Sequence, residues 1–167
     1  DNLDITVIPE FTTKLAETKR KLEDAGLAVP NISTSIGVCE PDKVDQHIEE
    51  ARRTIPIAKE LGTVSLRVFG RGNTQKYTKE ELADIGRDTM AKLLDLDGAA
   101  DLRWVFETHD HWISSADCKL LLDRIPDPAF GALWDMGHTA RVGGETPAET
   151  LAALGDRVYY THVKDAV

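Results

Sequence analysis

The chain has 167 residues, 41% of them hydrophobic, and a formal net charge of −9. That is enough apolar material for one core, and the length argues for one domain. The acidic balance disfavours nucleic acid and anionic membrane partners, and no Lys/Arg run exceeds three residues. Cys39 and Cys118 lie far apart, without metal-type spacing or a disulfide framework, which fits a reduced, cytoplasmic setting. No apolar run approaches the ~18–20 residues of a membrane span. The N-terminus lacks the basic and apolar regions of a signal peptide. It begins at Asp1 without Met, which suggests a trimmed start.

The elements alternate along the chain. Phe11, Leu15, Thr18 and Leu22 predict a helix over 11–25 that Gly26 ends. A strand follows over 28–38. Pro41 opens a helix to about Leu61, closed by Gly62, and Pro56 inside it predicts a kink or an early break. "TVSLRVFG" (63–70) is a strand and "RGNTQKY" a polar loop. Thr78 with Glu81 makes a capping box for a helix to about Leu96. "LRWVFETH" (102–109) is a strand. Ser114 with Asp117 starts a helix to about Arg124. "FGALWDMGH" (130–138) is a strand. Thr146, Pro147 and Glu149 start a helix that ends at Gly155, and "RVYYTHVKD" (157–165) is the last strand. Strands separated by single helices imply parallel pairing and right-handed crossovers. Doubly wound sheets and (β/α)₈ barrels both fit. No Gly-rich phosphate-binding motif supports a nucleotide-binding version.

The informative pattern lies at the C-terminal strand ends, where parallel α/β folds build their sites. They carry Arg67; Glu107 and His109; Asp135 and His138; His162, Lys164 and Asp165. Ionisable groups inside a sheet covered on both faces are costly unless paired or metal-bound. Alternation puts Val105, Glu107 and His109 on one face, Leu133 with Asp135, and Tyr160 with His162 and Lys164. If these faces line a barrel, Glu107, Asp135 and His162 converge at its mouth. Two carboxylates and an imidazole suit one divalent metal ion such as Mn²⁺, Mg²⁺, Co²⁺ or Zn²⁺. Simpler readings compete at each position. Glu107 could pair with a lysine or arginine, His138 could serve a turn, Lys164 and Asp165 could form a surface salt bridge, and Asp110 and His111 read as loop. Coincidence across four strands favours a metal or acid/base site. No G-x-S-x-G elbow occurs, and neither cysteine has an activating partner in sequence.

"SLRVFG", "FETHDHW", "LWDMGH", "GGETPAETL" and "THVKD", in that order, resemble the sugar phosphate isomerase/epimerase superfamily, the xylose isomerase-like TIM barrel group also called AP endonuclease family 2. The resemblance spans about residues 10 to 167. It implies a (β/α)₈ TIM barrel and a metal set of Glu107, Asp135, His162 and a second glutamate. It also implies a catalytic Glu107 and a substrate pocket with Arg67, His109, His138 and Lys164. The five units match barrel strands 2 to 6 of about 250 residues. The other strands and the second glutamate are therefore expected outside residues 1–167, in a longer protein or another chain.

The activity so implied is isomerisation or epimerisation of a sugar, sugar phosphate or related keto compound, by proton transfer beside a carbonyl via an ene-diolate. A dehydratase of the inosose dehydratase type shares that first step. A non-catalytic binding protein on a degenerate barrel and an endonuclease IV-like repair enzyme are the other readings. Five histidines and the −9 charge count against the last. The expected partner is a small sugar-like substrate, with a homo-oligomer left open.

Overall fold

The computed structural model describes residues 5–164. Five parallel strands pair in simple chain order: β1 (Asn31–Gly37), β2 (Ser65–Phe69), β3 (Arg103–Glu107), β4 (Phe130–Asp135) and β5 (Val158–His162). A doubly wound sheet reverses direction at a switch point, and this order never does. The arrangement is five consecutive units of a TIM barrel. The helices are α1 (Leu15–Asp24), α2 (Val44–Leu61), α3 (Lys79–Leu94), α4 (Ser115–Arg124) and α5 (Pro147–Leu154).

Local chemistry sets the boundaries. Thr78 with Glu81 and Thr146 with Glu149 close reciprocal capping boxes, and the Ser114 hydroxyl accepts from the Asp117 N–H. Gly62 ends α2 in the left-handed conformation at φ 68°. The early break anticipated at Pro56 does not occur, and α2 runs through it to Leu61. Pro56 is exposed, so the carbonyl it leaves without an N–H partner can reach water. Ile55, Ile57 and Ala58 beside it are buried and hold the helix to the sheet. The strands are shorter than their apolar runs suggest. β3 stops at Glu107, β4 at Asp135 and β5 at His162, so His109, His138 and Lys164 lie beyond the tips.

Alternation divides the sheet into two layers. Ile32, Ile36, Leu66, Val68, Trp104, Phe106, Phe130 and Ala132 join the core beneath the helices. Each fully buried large side chain there contributes about 1.5–3 kcal/mol. The opposite face carries Arg67, Phe69, Val105, Glu107, Leu133 and Asp135, all buried. Among the described residues, no helix is long and apolar enough to cross a membrane.

Candidate functional site

Register decides what meets at the strand tips. Phe69 pairs with Glu107, Glu107 with Leu133, and Asp135 with His162. Glu107, Asp135 and His162 are thus the last residues of three successive strands, with Asp135 two positions further along than Glu107's partner. His162 Nδ1 lies 3.3 Å from Glu107 Oε1 and 3.9 Å from Asp135 Oδ2. Asp135 is wholly buried and Glu107 nearly so.

Asp135 is held by its own turn. Its Oδ1 accepts from the His138 N–H at 3.1 Å, which caps a π-helical turn over His138–Val142. A side chain at Gly137 would press on that oxygen at 3.2 Å. Thr108, whose position in sequence carries no chemical signal, ties the two tips together. Its hydroxyl accepts from the Asp135 N–H at 2.9 Å, and its N–H donates to the Leu133 carbonyl at 3.0 Å. The Thr108 carbonyl lies 2.9 Å from His138 Nδ1, which fixes the tautomer, because a carbonyl can only accept. The His138 lone pair is therefore on Nε2, facing Lys164 Nζ at 3.2 Å. Lys164 pairs with Asp135 Oδ2 at 2.5 Å. The salt bridge considered with Asp165 falls partly outside the described residues.

Two cations answer the two buried carboxylates. Lys164 stands on Asp135, and Arg67 Nε lies 3.5 Å from Glu107 Oε2. Glu107 thus does pair with an arginine, while it also faces His162. Burial pushes the Asp135 carboxyl upward, but the Lys164 bond, the His138 N–H and the nearby positive charges outweigh it and hold it below its usual range. Two nitrogens of Arg67, Nε and Nη1, remain without a hydrogen bond although buried. Such groups are costly unless something else satisfies them. Ligand atoms of Glu107, Asp135 and His138 lie within 4.8 Å of one another, close enough for one metal ion. His162 Nδ1 also lies against both carboxylates.

An aromatic wall flanks these groups. His109, half-buried, packs on Phe69 at 5.2 Å and on His138 at 4.7 Å. Asp110 takes φ 54° where the chain leaves the tip, and its Oδ1 lies 2.8 Å from His109 Nδ1. Trp112 is core: it is fully buried, and its Nε1–H donates to the Arg71 carbonyl at 2.7 Å.

All seven residues singled out in the sequence therefore gather at one end of the sheet. Phe69, Arg71, Glu40 and Thr108 were not among them. Arg71 and Glu40 follow the tips of β2 and β1, so extending the strand-end rule past the tips would have found both.

Comparison with known proteins agrees with this fold. The family model described as xylose isomerase-like TIM barrel matches residues 2–167. No curated protein sequence matches the chain significantly. Among solved structures, a 3-keto-D-glucoside 4-epimerase from E. coli superposes with a TM-score of 0.77 at 14% identity, covering 93% of this chain and 65% of its own. A probable 3-DHS dehydratase from Bacillus anthracis gives 0.78 at 18%, covering 92% and 58%. A xylose isomerase-like TIM barrel protein from Mycobacterium smegmatis in complex with magnesium gives 0.71 at 18%, covering 91% and 56%. The chain thus spans 56 to 65% of the length of these three proteins. At such identities the likeness is one of fold. The family match covers nearly every residue, and the chain belongs to the xylose isomerase-like TIM barrel family.

Proposed function

We propose that this chain carries the reaction centre of a metal-dependent isomerase or epimerase acting on a sugar-like hydroxy-carbonyl compound. One observation carries the reading: Glu107, Asp135 and His162 end successive strands, and His162 Nδ1 reaches both carboxylates. The donors fit a hard divalent ion, because they are two buried carboxylates and an imidazole at adjacent strand tips. Glu107, Asp135 and His162 would hold the ion. When bound, it would supply Lewis-acid polarisation of a carbonyl and its neighbouring hydroxyl. The magnesium complex of the Mycobacterium smegmatis protein supports a divalent ion on this fold.

The chain's own groups divide the remaining work. Glu107 takes the proton from the carbon beside the carbonyl. Arg67 Nε lies 3.5 Å from that carboxylate and helps to hold it in place. His138 offers Nε2 as an acceptor to a substrate hydroxyl, its orientation set through Thr108. Lys164 donates on the same side and can stabilise negative charge developing on the substrate oxygen. Phe69 and His109 exclude water from one flank.

A dehydratase starts with the same proton removal, and the similarity to a probable 3-DHS dehydratase keeps that outcome in view. Product analysis separates the two, since epimerisation conserves mass and dehydration loses water. The test is metal content together with turnover of keto sugars, for the native protein and for Glu107→Gln and His162→Ala. The reading expects folded variants with reduced metal and little turnover. Full metal retention in both would sink the ligand assignment.

A further inference from the structure

Arg71 has no part in that chemistry, yet its backbone is held in an unusual state. It takes φ 54°, a region long side chains seldom adopt. Two neighbours fix it there. Its carbonyl accepts the Trp112 Nε1–H at 2.7 Å, and Gly72 follows at φ 102°, where a side chain would meet Leu82 and the Cys39 carbonyl. A side chain at Gly70 would collide with the Trp112 ring at 2.2 Å, so the whole Gly70–Gly72 turn is seated on Trp112. The turn sends the Arg71 guanidinium back over the Phe69 ring, 4.8 Å from its centroid.

Arg67 approaches the same ring, 3.8 Å from the centroid. Two guanidiniums therefore share one phenyl ring, no further apart than those two distances laid end to end. One is deep and one is at the rim, since the Arg67 side chain is 5% exposed and that of Arg71 24%. Each leans on one carboxylate at 3.5 Å, Arg67 on Glu107 and Arg71 on Glu40, too far for the short bidentate fork that guanidinium and carboxylate prefer. Arg67 Nε and Nη1 are buried with no hydrogen bond at all. Two adjacent like charges, one buried and under-bonded, cost free energy unless an anion completes them. Burial first, and then the Arg71 charge, lower the Arg67 affinity for its proton, against the pull of Glu107.

We propose that Arg67 and Arg71 form an oxyanion clamp across Phe69, and that the substrate carries a phosphate or carboxylate group away from its reacting carbonyl. The clamp rests on the isomerase reading for its purpose but not for its chemistry. Guanidinium forks bind planar or tetrahedral oxyanions in pairs of hydrogen bonds, and both sources present the same oxygen geometry. The Phe69 ring seats both guanidiniums beside Glu107, its register partner.

The test titrates inorganic phosphate and, separately, acetate against the native chain without added metal, following the arginine Nε–H resonances by NMR. Saturable binding of either anion is expected, with phosphate or acetate preference telling which group the substrate bears. Arg71→Asn should weaken it about ten- to a hundredfold, the worth of a charged hydrogen-bond pair. Asparagine tolerates the positive φ and leaves the backbone bond to Trp112 in place. Arg71→Lys, which keeps charge but loses the fork, should recover only part of the affinity. Non-saturating titrations with both anions, or equal affinity in native protein and Arg71→Asn, would overturn the clamp. Among keto compounds that turn over, those bearing an anion should show at least roughly tenfold higher kcat/KM than neutral ones, a margin that Arg71→Asn removes through KM. Absence of any turnover counts against the isomerase reading, and the anion titration still decides the clamp.

Discussion

Two sets of buried ionisable residues, one on α2 and one at the strand tips, behave differently. On the helix side, Glu50 of α2 is 3% exposed, and both its oxygens are used: Oε1 accepts from the Ser35 N–H at 2.6 Å and Oε2 from the Ser35 hydroxyl at 2.5 Å. It seals the irregular stretch of β1 between Ser33 and Gly37, where the ladder with β2 slips. His47 adds a bond from the Gly37 N–H at 3.4 Å. On the mouth side, Arg67, Glu107 and Asp135 are as deeply buried, but two Arg67 nitrogens lack hydrogen bonds. Burial of charge alone therefore does not mark a site. The deeply buried, incompletely bonded guanidinium of Arg67 is the stronger marker, because such a charge is costly unless something completes it.

This contrast can be broken by substitution. The largest effect belongs to the mouth. Glu107→Gln should lower turnover by roughly 10²–10⁴-fold, the usual share of a positioned proton-transfer group, while melting temperature changes little. A comparable loss of stability instead would put Glu107 in the same class as Glu50. Next comes Glu50→Ala, which leaves the Ser35 N–H buried without an acceptor. It should cost about 3 kcal/mol in a denaturation experiment, with metal content per folded molecule unchanged.

A pH experiment sharpens the comparison further. Burial pushes the Glu40 carboxyl up, but His47, Lys43 and Arg71 outweigh it and hold it at about 2 against an ordinary 4.5. A carboxylate depressed in the folded state adds stability above its unfolded value and loses it as pH falls through its folded value. Glu40→Gln should therefore be less stable than the native chain by about 1–2 kcal/mol at pH 7. The gap should close between about pH 4.5 and 2 in urea titrations. Trp112→Phe should have the smallest effect, about 1 kcal/mol for the lost bond to the Arg71 carbonyl. Its cost should appear mainly as weaker anion binding.

Much of this was legible in the amino-acid order, for physical reasons. Thr78–Glu81 and Thr146–Glu149 mark helix starts because a capping box satisfies local donors, and local chemistry is readable locally. Period-two alternation placed Glu107 with Val105 and Asp135 with Leu133 on the face away from the helices. What stayed hidden depends on tertiary packing. Strand ends are set by where a neighbour stops pairing, so His109 and His138 read as strand but lie beyond it. The run of α2 through Pro56 depends on the buried residues on either side of it. Arg71 reaches the mouth only because Trp112, 41 positions later, holds its backbone. Glu40 joins it through a turn whose course follows the β1 irregularity.

The central claim is that Glu107, Asp135 and His162 hold one divalent ion. The most direct measurement is anomalous diffraction from crystals soaked in Mn²⁺. The account predicts a single strong peak bounded by those three side chains, with Lys164 displaced from Asp135 Oδ2. Crystals saturated with Mn²⁺ that show no peak there, or a peak only elsewhere, would contradict it.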